Sequence, residues 1–353
     1  MGLPTEFIFI VDLLALFATY MIVTLSLNLE FGYTGVPNFG KVLSVAGGAF
    51  VVGYFPGRFA AWLMGIGQGM DYIEQNVLIV TQVSQLFKDN PLIALTLFAL
   101  TIILAGVVGA VIGFLASYPA IRLREDYLAM TLLAMGEFIT IIGYNYSPIV
   151  GGTLGVQVPD PLAWVGEWRF TVATFIILAI SIVVLIYVEL LVRSPLGRVL
   201  RAVRDNEDAA ESLGKDIVRL RMKTIVVSSV IASIGGALYA FYTGGVIATA
   251  YHRVGWTFWP WVMVMLGGIA NNRGVALGTF TFVTVQKLII FYKGELTPFL
   301  PFDVVWLDPL LLGLALIMLL MFRPEGIIPE KPTITLGTKR IKQVIEERRA
   351  RST

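Results

Sequence analysis

The sequence contains no cysteine, and its single histidine is His252. The absence of cysteine excludes disulfides and thiolate metal sites and leaves the redox compartment undetermined. His252 stands beside Tyr251 and Arg253 in a predicted loop, without the further histidine or cysteine ligands that a metal site needs. We therefore predict that this chain binds no metal and no cofactor of its own.

Motifs of nucleotide-binding and hydrolytic proteins are also missing. No G-x-x-x-x-G-K-[S/T] loop occurs, so the chain cannot hold ATP phosphates in the P-loop manner. Neither G-x-S-x-G nor H-E-x-x-H occurs. These absences predict a protein that is not an enzyme and that does not bind ATP in the P-loop manner.

Charged residues are scarce. They make up 14% of the 353 residues, against about 25% in soluble domains, and the mean hydropathy is +0.80. Residues 92–121 carry no charge, and this run is longer than the roughly 20 apolar residues with which a helix crosses a bilayer. The sequence therefore predicts an integral membrane protein.

Apolar segments recur along the chain and predict an all-α, polytopic membrane protein of eight or nine transmembrane or re-entrant helices. Two segments, 39–56 and 257–271, are short and rich in glycine, which is compatible with tilted crossing helices or with re-entrant ones. We assign 1–329 to one transmembrane domain and 330–353 to a basic tail. The predicted segments are 7–29, 39–56, 92–121, 126–146, 169–192, 224–250, 257–271, 275–292 and 304–322.

One further helix is predicted to lie on the membrane surface, within residues 70–90. Its apolar residues recur at helical spacing, and its charges stand near its ends. The predicted apolar stripe consists of Ile73, Val77, Val80, Val83 and Phe87.

The distribution of lysine and arginine predicts the orientation. If all nine segments cross, most of the 26 basic residues fall on one side, which the positive-inside rule makes cytoplasmic. The N-terminus is then outside, and the C-terminus is cytoplasmic in a multi-pass protein of the plasma membrane. If segment 39–56 is re-entrant, the N-terminus moves inside.

The most charged interior stretch is the loop 193–223, which contains "SPLGRVLRAVRDNEDAAESLGKDIVRLRMK". Asp205 is predicted to cap a short helix, and Gly214 is predicted to end it. Such a helix has about eight residues and is about 12 Å long. Because so short a helix is marginal in water, we expect it to pack against a partner. The alternative is a solvated loop whose arginines bind anionic lipid headgroups.

Five stretches, in one consistent order along the chain, resemble the permease subunits of branched-chain amino acid ABC transporters. They are "LNLEFGYTG" (27–35), "RLREDYLAMTLLAMGEFI" (122–139), the stretch from "GRVLRAVRDNEDAAESLG" to "GGALYA" (197–240), "MVMLGGIANNRGVALGT" (263–279) and "RPEGII" (323–328).

This resemblance implies an ATP-driven importer that takes amino acids from an extracytoplasmic binding protein. Its implied partners are a second homologous permease, two ATPase subunits that bind ATP, and membrane lipid, with no nucleic acid. The implied ATPase contacts are Asp205, Asn206, Glu207, Ala209, Ala210 and Gly214. The first-span signature matches at Asn28, Gly32 and Gly35, and the later glycine-rich signature matches at Gly267, Gly268, Gly274 and Gly278.

Glu137 lies near the middle of predicted segment 126–146. A carboxylate at that depth is costly and should face a partner or a wet cavity. Glu137 either lines the pathway with Thr131 and meets a substrate ammonium, or makes a structural hydrogen bond between helices. The predicted pathway residues are Asn28, Thr131, Glu137, Gly267 and Gly268. Lys41 could likewise meet a carboxylate, but an interfacial lysine that reaches towards water is the favoured prediction.

Three other functions remain open at this point. Permeases for urea or short amides look similar to those for branched-chain amino acids. A stand-alone secondary transporter should show intramembrane ionisable pairs for ion coupling, whereas only Glu137 lies deep in a predicted span. A membrane-embedded enzyme should show clustered His, Asp or Glu near one interface, and no such cluster stands out.

Overall fold

The computed structural model describes residues 4–67, 69–123, 125–296, 303, 306–323 and 325–330. These residues are almost entirely helical, which confirms the predicted all-α class. The predicted tail, apart from Glu330, lies outside the described residues, and the division at residue 329 stays a prediction.

The longer helices are α1 (Thr5–Leu27), α2 (Lys41–Met64), α3 (Asn76–Asp89), α4 (Pro91–Arg122), α5 (Glu125–Asn145), α7 (Arg169–Arg193), α8 (Pro195–Asp205), α10 (Ile217–Thr243), α11 (Trp259–Gly267), α12 (Asn272–Phe291) and α14 (Leu307–Phe322). Short helices are α6 (Ser147–Val150), α9 (Glu207–Ser212) and α13 (Lys293–Leu296). Two π-helical turns, Asn28–Gly32 and Val254–Phe258, adjoin α1 and α11, and 3₁₀ turns span Ala163–Trp168 and Ala248–Ala250. Strands β1 (Val156–Gln157) and β2 (Gly245–Val246) pair antiparallel.

Seven helices within the described ranges are long and apolar enough to cross a membrane. They include α2, so the short segment predicted at 39–56 is in fact a helix of 24 residues. The segment predicted at 257–271 is short in the structure as well, since the helix over Val254–Gly267 falls below the length of a full span. Helix α14 has 16 residues.

Helix α2 is longer than predicted because its glycines serve helix packing and do not break the helix. A Cβ on Gly48 would collide with the Ser233 carbonyl of α10, and one on Gly47 would collide with Ile112 of α4. The helix continues through Pro56 and ends at Gly65, whose φ is 67°. Small residues at such contacts let the helix backbones approach closely.

The centre of the bundle is the packing of α10 against α4 and α2. A Cβ on Gly109 would lie 2.6 Å from the Ser233 Cβ, and one on Gly113 would lie 2.7 Å from the Ser229 Cβ. The Ser233 hydroxyl donates to the Ala105 carbonyl at 2.8 Å. Helix α10 is thereby held close to α4 along its length.

Polar contacts mark the two ends of the bundle. One end of the bundle carries the charged loop 193–223, and we call it the island end. There, Arg204 Nη1 donates to the Gly32 carbonyl at 2.6 Å and joins this loop to the end of α1. At the other, the far end, the Tyr242 hydroxyl donates to Asp12 at 3.3 Å and β1 pairs with β2. Helices α1 and α7 therefore run towards the island end, and α10 returns from it.

Helix α3 lies at the far end and confirms a helix within residues 70–90. Its buried residues include Ile79, Val80, Val83 and Phe87, and of these Ile79, Val83 and Phe87 pack with residues of α2 and α4. The predicted stripe was wrong at Val77, which is 60% exposed, because the buried face includes Ile79.

Candidate functional site

The loop 193–223 folds into two consecutive helices, α8 and α9. Pro195 occupies the first turn of α8, where its missing N–H costs nothing. The buried residues of α8 are Gly197, Leu200 and Val203, and a Cβ on Gly197 would collide with the Val192 carbonyl of α7. Helix α8 therefore folds back onto the end of α7, and this contact fixes the base from which α9 projects.

Asn206 caps α9, so the prediction that Asp205 is the cap was wrong by one residue. The Asn206 Oδ1 accepts a hydrogen bond from the Ala209 N–H at 2.9 Å. Asp205 is the last residue of α8, and its carboxylate pairs with Arg204 at 3.0 Å. The sequence suggested Asp205 because both residue types are good caps, and only the end of α8 distinguishes them.

Gly214 ends α9 as predicted, although the helix has six residues and not eight. Its φ is 74°, its N–H donates to the Glu211 carbonyl at 2.8 Å, and the Lys215 N–H donates to the Ala210 carbonyl at 3.1 Å. These two bonds form a Schellman motif, which favours glycine at the left-handed position.

Helix α9 presents a small exposed surface to solvent at the island end. Asp208, Ala209 and Gly214 are exposed, and Leu213 is 78% exposed. Ala210 is buried within the chain, so it stabilises the loop from inside. Leu213 is not among the implied ATPase contacts. A leucine beside a predicted helix end in a charged loop nevertheless indicates a surface that a partner covers.

Helices α8 and α9 together form an elbow, and two arginines connect this elbow to the membrane-spanning helices. Arg221 at the start of α10 pairs with Glu207 of α9. Arg204 Nη1 donates to the Gly32 carbonyl and also pairs with Glu330 at 3.0 Å. Burial lowers the pKa of Arg204, but hydrogen bonds and charge from Glu330 and Asp205 outweigh it and hold the pKa above its usual value. The Arg204 guanidinium therefore stays charged.

The Gly32 carbonyl that Arg204 contacts lies in a break between α1 and α2, and this break contains a buried ion pair. The π-helical turn Asn28–Gly32 carries Glu30, and α2 begins with Lys41. Both side chains are fully buried, and the Lys41 Nζ lies 3.2 Å from the Glu30 Oε2. Asn38 Nδ2 donates to the same oxygen at 2.9 Å. The prediction that Lys41 lies at the interface and reaches water was wrong, because Glu30 is its partner.

The same ion pair is joined to α10. Lys41 Nζ donates to the Ser228 hydroxyl, and that hydroxyl donates to the Ser26 carbonyl at 2.7 Å. The remaining oxygen of Glu30, Oε1, has no hydrogen-bond partner within the described ranges. A buried charge pair of this kind holds its helices in one arrangement, since separating the charges in a nonpolar interior is costly.

Asn28, Gly267 and Gly268 come together in a second joint at the island end. Asn28 Nδ2 donates to the Asn272 Oδ1 at 2.9 Å, and Asn28 Oδ1 accepts from the Ala270 N–H at 2.9 Å. A Cβ on Gly267 would collide with Gly274, and one on Gly268 would collide with the Ile328 carbonyl. Because this joint is buried and tightly packed, a substrate could reach it only if the joint opened.

Thr131 and Glu137 lie apart from that joint, on α5. The Thr131 hydroxyl donates within its own helix, to the Tyr127 carbonyl at 2.8 Å. Glu137 Oε2 lies 3.8 Å from Arg253 Nη1, and the two side chains are 44% and 50% exposed. Glu137 therefore faces the charge of Arg253 on an open surface, and both predictions for Glu137 stay predictions.

A cavity of about 580 Å³ opens at the far end, between α3 and the end of α10. Polar lining residues include Asn76 and Gln157, and the aromatic rings of Tyr239 and Tyr251 line it as well. Asn76 Oδ1 accepts from the Gln157 N–H at 2.7 Å and fixes α3 to β1. This cavity is large enough for a small polar molecule.

Comparison with known proteins gives a consistent result. The pattern of the family described as branched-chain amino acid transport system, permease component, matches residues 9–321. The chain is 44% identical over 328 residues to the probable branched-chain amino acid transport permease protein LivM of Methanocaldococcus jannaschii, covering 92% of this chain and 94% of that relative.

Two more distant relatives carry related names. The high-affinity branched-chain amino acid transport system permease protein LivM of Salmonella typhimurium is 28% identical, over 68% of this chain and 59% of its own length. The probable branched-chain amino acid transport permease protein LivH of Methanocaldococcus jannaschii is 24% identical, over 66% of this chain and 78% of its own length. No solved structure matches the chain.

Proposed function

Because the chain belongs to the family of branched-chain amino acid transport permeases, we propose that it is the membrane-spanning permease subunit of an ATP-driven ABC importer for branched-chain or related amino acids. The observation that carries the proposal is the elbow of α8 and α9, an exposed short helix tied by Arg204 to the break between α1 and α2.

The proposed importer has three further kinds of subunit. Two ATPase subunits bind ATP and contact α9 at the island end, and an extracytoplasmic binding protein delivers the amino acid at the far end. A second homologous permease completes the pathway. The relatives of this chain include both LivM and LivH proteins, which supports a pair of different permeases. The chain itself binds no cofactor in this proposal.

The orientation follows from the same argument. The island end, with the basic loop 193–223, lies in the cytoplasm, and the far end lies outside. Helix α1 then starts outside, and the chain ends in the cytoplasm after α14. Arg204 and Glu330 pair at the island end, which supports a cytoplasmic position for the C-terminal segment.

In the proposed mechanism, closure of the ATPases moves α9. The short connection through Asn206 passes this movement to α8, and the Glu207–Arg221 pair passes it to α10. Because α8 packs on α7, both α7 and α10 tilt. Arg204 transmits the same movement to the π-helical turn at Gly32, next to the Glu30–Lys41 pair. The pathway then changes the side to which it opens.

This geometry supports the implied ATPase contacts. Asp205, Asn206, Glu207, Ala209 and Gly214 lie at or next to the exposed surface of α9. Ala210 supports that surface from within the chain. Thr131 and Glu137 belong to the pathway in this proposal, whereas Asn28, Gly267 and Gly268 form the joint that opens beside it.

Reconstitution tests the proposed function. The proteoliposomes contain this chain, a second permease and the ATPases. We expect them to take up radiolabelled leucine only when ATP is present on the side of the membrane that carries the ATPases and loaded binding protein is present on the other side. Dissipating the ion gradients should leave the uptake unchanged. Uptake by the chain alone, driven by an ion gradient, would show a secondary transporter and contradict the proposal.

A further inference from the structure

Helix α5 and the turn before α11 carry two opposite charges, Glu137 and Arg253, on an open surface of the bundle. Glu137 is about 18 Å from the start of α5 and about 12 Å from its end, at 1.5 Å per residue. Arg253 immediately precedes the short helix Val254–Gly267. The Thr140 hydroxyl donates to the Tyr251 carbonyl at 2.9 Å and holds this turn against α5. The charges therefore lie near the middle of a membrane span.

Neither Glu137 nor Arg253 forms a close ion pair within the described part of the chain. The Glu137 Oε2 and the Arg253 Nη1 are 3.8 Å apart, whereas charge-assisted hydrogen bonds measure about 2.7–2.9 Å. In the part of the chain that the structure describes, no side-chain hydrogen bond is made by either residue. The carboxylate oxygens of Glu137 and the guanidinium donors of Arg253 are open to a ligand.

Several exposed side chains next to Glu137 and Arg253 along the chain are apolar, whereas His252 adds a polar ring close enough to Glu137 to feel its charge. Phe138 is 62% exposed, Val254 is 41% exposed and Phe258 is 36% exposed. Val254 and Phe258 are four residues apart in the turn that follows Arg253, so they lie on one side of the short helix. Charged side chains at this depth are costly against lipid and normally face a water-filled pathway or another polar group.

We propose that Glu137 and Arg253 form a binding site for the two charged groups of a zwitterionic amino acid in the translocation pathway. Glu137 accepts hydrogen bonds from the substrate ammonium, and Arg253 donates to the substrate carboxylate, for which its planar guanidinium is suited. Val254 and Phe258 offer apolar surface to an aliphatic side chain. This inference rests on the proposed function and names the substrate class of the pathway.

The test uses the reconstituted importer with its ATPases and binding protein. Glu137→Gln and Arg253→Gln each remove one charge at nearly constant size. We expect each to lower the maximal rate of leucine uptake by about tenfold or more, as loss of a hydrogen bond to a charged group implies. The concentration of loaded binding protein at half-maximal rate and the ATP hydrolysis that it stimulates should stay near wild-type values.

Asp126→Asn is the matched control, since Asp126 is exposed at the start of the same helix. We expect its uptake to equal that of the wild type. Uptake by both charge variants within about twofold of the wild type would overturn the site, because a lost charged contact should cost more. A parallel loss of uptake and stimulated ATP hydrolysis would also overturn it, since it would assign the pair to contact with the second permease.

A second measurement keeps both charges. The chain lacks cysteine, so Val254→Cys introduces a single thiol next to Arg253. We expect a charged, water-soluble thiol reagent to modify it, and we expect leucine delivered by the binding protein during turnover to slow the modification by about threefold or more, as an occupied site excludes the reagent. Absence of modification, or modification that leucine does not slow, would contradict the inference. If the wild-type importer shows no ATP-dependent uptake, the proposed function itself fails.

Discussion

Replacing Gly214 with valine is expected to lower ATP-dependent leucine uptake by about tenfold or more, while the amount of inserted protein stays unchanged. Gly214 has a φ of 74°, and a side chain there would meet no other atom within 4 Å. The effect is therefore one of backbone conformation, because a β-branched residue is strained in the left-handed region. Helix α9 would lose its Schellman end, and with it the fixed shape of the ATPase contact. Uptake by reconstituted importer measures the effect.

Two controls isolate this cause. Gly214→Asn should retain most of the uptake, since asparagine tolerates the left-handed conformation. Gly69→Val introduces a similar strain in open space at the far end, where φ is 82°, and should leave ATP coupling intact. Wild-type uptake by Gly214→Val would exclude α9 as the coupling element.

Lys41→Met is expected to reduce the free energy of unfolding by about 3–5 kcal/mol, because it leaves Glu30 buried without its partner charge. The two side chains have no solvent exposure. The double variant Glu30→Gln/Lys41→Met removes both charges and should recover most of the loss. The thermal unfolding midpoint of the purified protein, compared across the two single variants and the double variant, measures the coupling between them.

Lys287→Met provides the comparison for the variants of the Glu30–Lys41 pair. Lys287 pairs with Asp12 at the far end, where the two side chains are 17% and 44% exposed. Solvent can replace a partly exposed partner, so its loss should cost less. If Lys41→Met destabilises the protein no more than Lys287→Met does, the buried pair does not hold the break between α1 and α2.

The long apolar helices were predictable from the sequence, because a charge-free run as long as residues 92–121 is rarely anything but a membrane span in a protein of this composition. The family was predictable as well, since motifs spread over the whole chain supported one another. The length of α2 was not predictable, because glycines that break a helix and glycines that pack one look alike in sequence. Gly48 shows its role only when Ser233 of α10 lies against it.

The polar sites were harder to predict because their partners are distant in sequence or separated by irregular backbone. Lys41 resembled an interfacial residue until a π-helical turn brought Glu30 beside it. Arg204 looked like one basic residue among several, and only the fold shows that it reaches the Gly32 carbonyl. Glu137 was recognisable by its depth alone, whereas Arg253 was assigned to a loop that the structure packs against α5.

Photo-crosslinking from α9 tests most directly whether this helix is held by the ATPase. Because the chain has no cysteine, Leu213→Cys can carry a thiol-linked photoreactive group, and Leu154→Cys, which replaces a residue 89% exposed at the far end, is the control. In the assembled importer we expect illumination to join position 213 covalently to an ATPase subunit and position 154 to none. An assembled complex that contains the ATPases, yet gives no such product from position 213, would contradict the account.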